Sequence, residues 1–173
     1  MTELAPILRI PVGVVVERRR SMSRWADFIW RPTAVLAGLP DAVSGTVLAI
    51  EDETTTFYAG AAEIALYRTE TDKYHENLVS GAPSVWVAIQ VIGGDPPYTI
   101  SAVTVDPAEG ESYSEAGTAV IEAVPMPETL RATVAEFVAE YPVERAFEKR
   151  KRDRSDPEAL ARRGIRWGSD HER

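Results

Sequence analysis

The chain contains no cysteine, which removes disulfides, thiolate metal sites and cysteine nucleophiles together. Histidine is nearly as scarce, with only His75 and His171 present. Zinc centres draw three or four ligands at short, fixed spacings, and neither histidine stands in such a cluster, so no metal site is expected. A serine or threonine hydrolase would need its base from this same pair, and no Gly-x-Ser-x-Gly turn exists. Long apolar runs are missing too. Val12–Val16 and Val85–Ile89 fall far short of the roughly 20 residues that span a bilayer. Met1-Thr2-Glu3 opens no basic region followed by an apolar one, so no signal peptide is expected. A cytoplasmic address is the expectation that follows.

What is present is an ordinary globular composition. The 173 residues are 45% hydrophobic and 27% charged, enough to bury one core without covalent staples. The net charge of −8 is unevenly spread. Residues 1–40 carry six basic and three acidic groups, residues 41–144 three and eighteen, and residues 145–173 ten and six. An acidic body flanked by basic segments repels phosphate backbones, so nucleic acid is not the expected partner. The run Lys149-Arg150-Lys151-Arg152-Asp153-Arg154 reads as a solvated tail or partner arm.

Periodicity sets the organisation. Ile7–Glu17 is a Val- and Ile-rich strand, followed by a loop over 19–26 and an edge strand near 28–36, where Pro32 opposes a helix. Thr46–Glu51 and Thr55–Arg68 are further strands joined at Glu51-Asp52-Glu53, and Gly60 marks a bulge or a close backbone approach. A short helix runs from Asp72 to about Ser80, capped by Thr71 or Asp72. Ser84–Ile92 and Tyr98–Val105 flank Gly93-Gly94-Asp95-Pro96-Pro97 as a strand–turn–strand unit. Asp106-Pro107-Ala108-Glu109 predicts a capped helix start, with Glu109 reaching back as in a capping box. Thr118–Val124 is a strand. Leu130, Val134, Phe137, Val138 and Tyr141 form the apolar stripe of the longest helix, which Pro142 stops. The predicted fold is therefore α+β. It has a largely antiparallel sheet or partly closed β-barrel over 1–143, two or three packed helices, and a charged C-terminal tail over 144–173.

The sharpest constellation is Arg18, Arg19, Arg20, Arg24, Trp25, Trp30 and Arg31. Arginine forks bind carboxylate or phosphate bidentately, and tryptophan faces stack on rings or cations. The functional reading is a partner or ligand contact. The bland one is a charged strand edge that discourages aggregation, its tryptophans packed in the core. No phosphate loop competes for attention, since Gly93-Gly94 precedes a strand rather than a helix. Glu51, Asp52 and Glu53 read as a solvated turn, and Glu109, Glu111 and Glu115 as the polar face of an acidic helix.

One resemblance spans residues 7–160. It rests on Ile10-Pro11-Val12-Gly13-Val14-Val15-Val16-Glu17-Arg18-Arg19, Trp25, Trp30-Arg31-Pro32 and Val35-Leu36. It continues through Tyr74-x-x-Asn77-Leu78, Pro83-Ser84-Val85-Trp86-Val87, Val105-Asp106-Pro107-x-Glu109, Pro125-Met126-Pro127 and Phe147-x-Lys149-Arg150-Lys151-Arg152. In this order they resemble the bacterial family described as domain of unknown function 3305. The resemblance implies a setting beside formate dehydrogenase genes, a chaperone that matures molybdenum enzymes, and a ferredoxin-like protein. Some relatives carry a molybdopterin-guanine dinucleotide biosynthesis label. Guanylyl transfer of that type needs a glycine-rich loop after the first strand, and this chain has no glycine between Gly13 and Gly38.

The resulting expectation is an accessory protein, with no cofactor, that contacts a molybdoenzyme or its chaperone through the Arg/Trp segment or the basic tail. Two alternatives stand beside it. One is a small anionic ligand- or cofactor-binding module that uses Arg18, Arg24, Trp25, Trp30 and Arg31. The other is an enzyme built on converging carboxylates with raised pKa values.

Overall fold

The computed structural model describes residues 5–117 and 119–142. The expected tail at 144–173, with its basic run and His171, lies outside the described residues. Within them the chain forms β1 (Leu8–Arg20), β2 (Phe28–Ala37), β3 (Val47–Glu51), β4 (Thr54–Leu66), α1 (Thr71–Val79), β5 (Ser84–Val91), β6 (Tyr98–Thr104), α2 (Pro107–Ser112), β7 (Ala119–Pro125) and α3 (Glu128–Glu140).

The fold is α+β, and the strands divide between two antiparallel sheets. The first has the order β2-β1-β4-β3, the second β6-β5-β7. β7 runs beside β2 and β6 beside β4, so the sheets enclose one core, but their edges are not hydrogen-bonded into a closed barrel. β3 is the extra strand. It pairs with β4 alone among the described strands, and all five of its residues are exposed.

The core follows from the Val/Ile runs. Val12, Val14, Val16, Ile64 and Leu66 from the first sheet meet Val85, Val87, Ile89, Val105 and Val124 from the second. Each such side chain contributes about 1.5–3 kcal/mol on burial. β1 is central and buried on both faces over Val12–Val16: Val12, Val14 and Val16 enter the core, while Gly13 on the opposite face meets Tyr58, Pro40 and Leu36, and the register shifts beside Val15 come from extra residues on β2 and β4. The bulge expected near Gly60 is present: Val14 pairs with Gly60 and Val15 with Tyr58, leaving Ala59 as the extra residue. Gly60 has φ +134°, a conformation other residues adopt only with strain.

Several expectations need correcting. β1 does not end at Glu17. It continues to Arg20, because Arg18, Arg19 and Arg20 pair with Trp30, Ile29 and Phe28 of β2, and the loop is shortened to residues 21–27. Neither Thr71 nor Asp72 caps α1. A 3-10 turn over Arg68–Glu70 runs directly into the helix, and the Thr71 hydroxyl donates to the Arg68 carbonyl at 2.9 Å. Asp106 caps α2 as expected, accepting from the Ala108 and Glu109 amides. The Glu109 carboxylate, however, does not reach the Asp106 amide. Thr104 stands between them: its hydroxyl accepts from the Asp106 amide at 3.1 Å and donates to Glu109 Oε2 at 2.6 Å. The capping box is thus relayed through the last residue of β6. α3 buries Leu130, Val134 and Phe137, the centre of the expected stripe.

Tyr74 of α1 carries a pH consequence. Burial, reinforced by the Asp106, Glu109 and Glu70 charges, pushes its phenol from near 10 up to about 12. The neutral phenol accepts the Tyr67 amide at 3.0 Å. Above pH 10 the unfolded chain releases this proton first, so the native state loses its advantage as pH rises. The stability is complete below pH 10 and declines toward pH 12 by about 1.4 kcal/mol per pH unit for this one group. Urea unfolding across that range should show the decline, and Tyr74→Phe should make it shallower.

Candidate functional site

The candidate site lies where the β1–β2 end of the first sheet passes over the start of β6. Directly opposed residues share a face of a sheet. Trp30, Arg18, Thr55 and Ile50 stand opposite one another across β2, β1, β4 and β3, forming one row on the face turned toward the second sheet. Phe28 and Arg20 form the next pair outward.

Arg18 is the centre of this row. Its guanidinium carbon lies 4.6 Å from the Phe28 ring centroid, 5.4 Å from Phe57 and 5.8 Å from Trp30. Three rings of negative quadrupole compensate a cation that would otherwise be costly in a half-buried place. Its one hydrogen bond among the described residues, to the Thr55 hydroxyl, is long at 3.4 Å, and no described carboxylate forms an ion pair with it. Trp30 locks the cluster to the second sheet, with centroids 5.1 Å from Tyr98 and 5.6 Å from Phe57.

These side chains border a cavity of about 320 Å³, at the lower end of small-ligand pockets. The β5–β6 hairpin supplies the opposite wall through Asp95, Pro96, Pro97 and Tyr98. Tyr98 is buried, and its hydroxyl has no hydrogen-bond partner among the described residues. Burial, and secondarily the Asp95 charge, raise the Tyr98 pKa, so at neutral pH the phenol remains a donor.

The structure separates the seven residues that the sequence grouped. Arg18 and Trp30 line the cavity. Arg19 and Arg31 belong to the other face of the sheet, and Arg31 pairs with Glu17 at 3.6 Å. Arg20 is exposed on the cavity-side face beyond Arg18. Arg24 and Trp25 sit in the loop, outside the lining, with Trp25 94% exposed. Of the two readings for the tryptophans, core packing describes Trp30, which packs against the core, but not Trp25, which the short loop carries away from the sheets. Phe28, Phe57 and Tyr98 complete the site. Phe28 already opens the strand expected near 28–36, and its alternation with Trp30 and Pro32 could have marked it.

Beyond the cavity the same end of the first sheet is unsheltered. Phe28 is 43% exposed and Ile50 72%, and Val47, Met22 and Trp25 are exposed as well. β1 and β4 run 13 residues each, against 7 or 8 for the strands of the second sheet. The longer, wider sheet overhangs the smaller one.

The converging acids behave differently from an acid–base pair. Lys73 bridges Glu70 at 2.5 Å and Asp106 at 3.6 Å, while Glu109 accepts from Thr104 and Tyr113. The hydrogen bond from Lys73 holds the Glu70 carboxyl below its ordinary range, the opposite of a poised general acid. These groups fasten α1 to α2. His75 is exposed on α1, and no cluster of three or more metal-ligating side chains occurs among the described residues.

The fold and site define a two-sheet α+β domain with an aromatic-walled, arginine-centred cavity under an apolar overhang. The family model described as Protein of unknown function (DUF3305) matches residues 11–151, and the chain belongs to that family. No curated protein and no solved structure matches it. No helix among the described residues is long and apolar enough to cross a membrane.

Proposed function

We propose that this protein is an accessory factor that works by docking to a protein partner, and that the partner is a molybdenum-dependent, formate dehydrogenase-like enzyme or its maturation chaperone. The observation that carries the docking half is the overhang. Phe28, Val47 and Ile50 stand uncovered on one face at one end of the first sheet, with Trp25 and Met22 in the adjoining loop. Monomeric proteins rarely leave so many large apolar side chains together in water. β3 adds a second attraction, because its outer edge has no neighbouring strand among those described and can accept one by β-augmentation. Arg18, Arg20 and Arg24 border this surface, which favours a partner segment that is apolar at its centre and acidic at its rim. The setting beside formate dehydrogenase genes that the family resemblance implies supplies the choice of partner.

Affinity capture of the tagged chain from its native host, with components identified by mass spectrometry, tests both halves. The expected result is enrichment of a molybdoenzyme subunit or its chaperone over a tag-only control. Repeated capture without any such component would overturn the choice of partner.

A further inference from the structure

We propose that the partner docks by adding one extended strand to the free edge of β3, and that this strand alternates apolar and cationic side chains. The inference rests on the docking reading above and names the element that docks. Tyr58 donates its amide to the Thr46 carbonyl, on the β3 side, at 2.8 Å. Backbone groups alternate in direction along an antiparallel strand, so Thr56 and Thr54 also turn toward β3 while Thr55 turns toward β1. Ile50 stands opposite Thr55, and its N–H and C=O therefore point to the free edge. No described strand lies beyond them. Edge strands are ordinarily blunted by lysine, proline or a bulge. β3 has neither lysine nor proline, and its register shift falls between Val47 and Ala49, before Ile50 is reached. Val47, Leu48 and Ile50 are all large, apolar and exposed on it.

The two faces of this edge differ, and the difference selects the strand. Ile50 shares the row of Trp30, Arg18 and Thr55, so a residue placed opposite it looks onto the apolar overhang. Ala49 and Glu51 belong to the other face. There Glu51, with Glu17, Asp52 and Glu53, lines a cavity of about 370 Å³ to which Arg19 contributes the only cation among the described residues. A side chain beside Glu51 on the added strand meets four carboxylates against one guanidinium, and lysine or arginine is its complement. The period of two in a strand gives both contacts to one segment. Arg18 and Arg20 do not oppose it, since they lie on β1 and on the opposite face, where they answer an acidic rim elsewhere on the partner. A second copy is the poorer occupant. Its own edge, Val47-Leu48-Ala49-Ile50-Glu51, has no cation to offer, and like-charged bodies repel.

The probes are two short acetylated peptides, one alternating valine and lysine and the other valine and glutamate, titrated into the full chain by NMR. Saturable binding of the lysine peptide is expected with Kd below about 1 mM. Shifts should be centred on Ala49, Ile50 and Glu51, with slowed hydrogen exchange at the Ile50 amide. The glutamate peptide should bind about tenfold more weakly or worse. Ile50→Pro deletes the outward N–H while sparing the ladder to β4, and should weaken the lysine peptide by about tenfold or more. Glu51→Lys leaves the backbone intact and should narrow the charge preference severalfold, so it reads the edge even if Ile50→Pro fails to fold. No saturation by the lysine peptide, equal binding of the two peptides, or an unchanged preference in Glu51→Lys would overturn the proposal. So would a wild-type dimer in sedimentation that Ile50→Pro abolishes, because a second copy would then hold the edge. Peptide selectivity decides the strand and capture from the native host decides docking, so either can fail without the other.

Discussion

Replacing Asn77 with alanine is expected to lower the unfolding free energy by about 3 kcal/mol, from the loss of one buried and two part-buried hydrogen bonds at roughly 1–3 kcal/mol for each group left unsatisfied. Asn77 is buried on α1. Its amide nitrogen donates to the Ser84 and Val105 carbonyls, both at 2.8 Å, and its carbonyl accepts the Ser84 amide at 3.0 Å. One side chain therefore ties a helix to the first residue of β5 and to the residue that follows β6. Alanine removes every one of these partners at once. Aspartate is no substitute, because it keeps the acceptor, loses both donors and buries a charge. Against a typical total of 5–15 kcal/mol, the loss is large enough to unfold a marginal domain. Urea denaturation of the variant measures it. A change under about 1 kcal/mol would mean that water replaces the amide and that α1 is held by its apolar face alone.

Asn77 also illustrates how the sequence speaks and where it stops. Its presence on a short helix before a strand was legible from Thr71–Gly81, but the two carbonyls it satisfies belong to segments that only the folded chain brings near. The elements themselves were largely readable. Gly93-Gly94 with Pro96-Pro97 marked the β5–β6 hairpin, Asp106-Pro107 marked the start of α2, and the Leu130–Tyr141 stripe marked α3. The division of strands between two sheets was not, because alternation reports which side chains share a face and says nothing of which strands pair.

The candidate site was half legible for the same reason. The cluster of arginines and tryptophans drew attention to the right hairpin. A strand that continues through Arg18, Arg19 and Arg20 sends neighbouring residues to opposite faces, so a group that looks continuous in sequence is split in space. Arg18 turns inward because Phe28, Trp30 and Phe57 compensate its charge. Phe57 comes from β4 and Tyr98 from the second sheet, and no local pattern links either to Arg18. Glu109 is a milder case. Its capping role was visible, but the Thr104 hydroxyl that intercepts it depends on how β6 enters α2.

The second large effect concerns the overhang. Phe28 and Ile50 lie on one face with Arg18 between their strands, and both are substantially exposed. Glutamate at both positions removes the apolar centre of the docking surface and adds two negative charges to an already acidic body. Interface centres of this kind lose about 2 kcal/mol or more per apolar anchor, so the double variant should bind its partner roughly 1,000-fold more weakly or not at all. Ile50→Glu should change stability by no more than about 0.5 kcal/mol, whereas Phe28→Glu also removes the ring nearest Arg18 and should cost about 1 kcal/mol, small beside the loss of binding. Circular dichroism and urea midpoints establish that the variant remains folded before its binding is read.

The most direct measurement is therefore a side-by-side quantitative capture from the native host, using the tagged wild-type chain and the folded Phe28→Glu/Ile50→Glu variant. Docking through the overhang predicts that the wild type recovers a molybdoenzyme subunit or its chaperone and that the variant's recovery drops to the tag-only background. Equal recovery by both chains, or no such component with either, would contradict it.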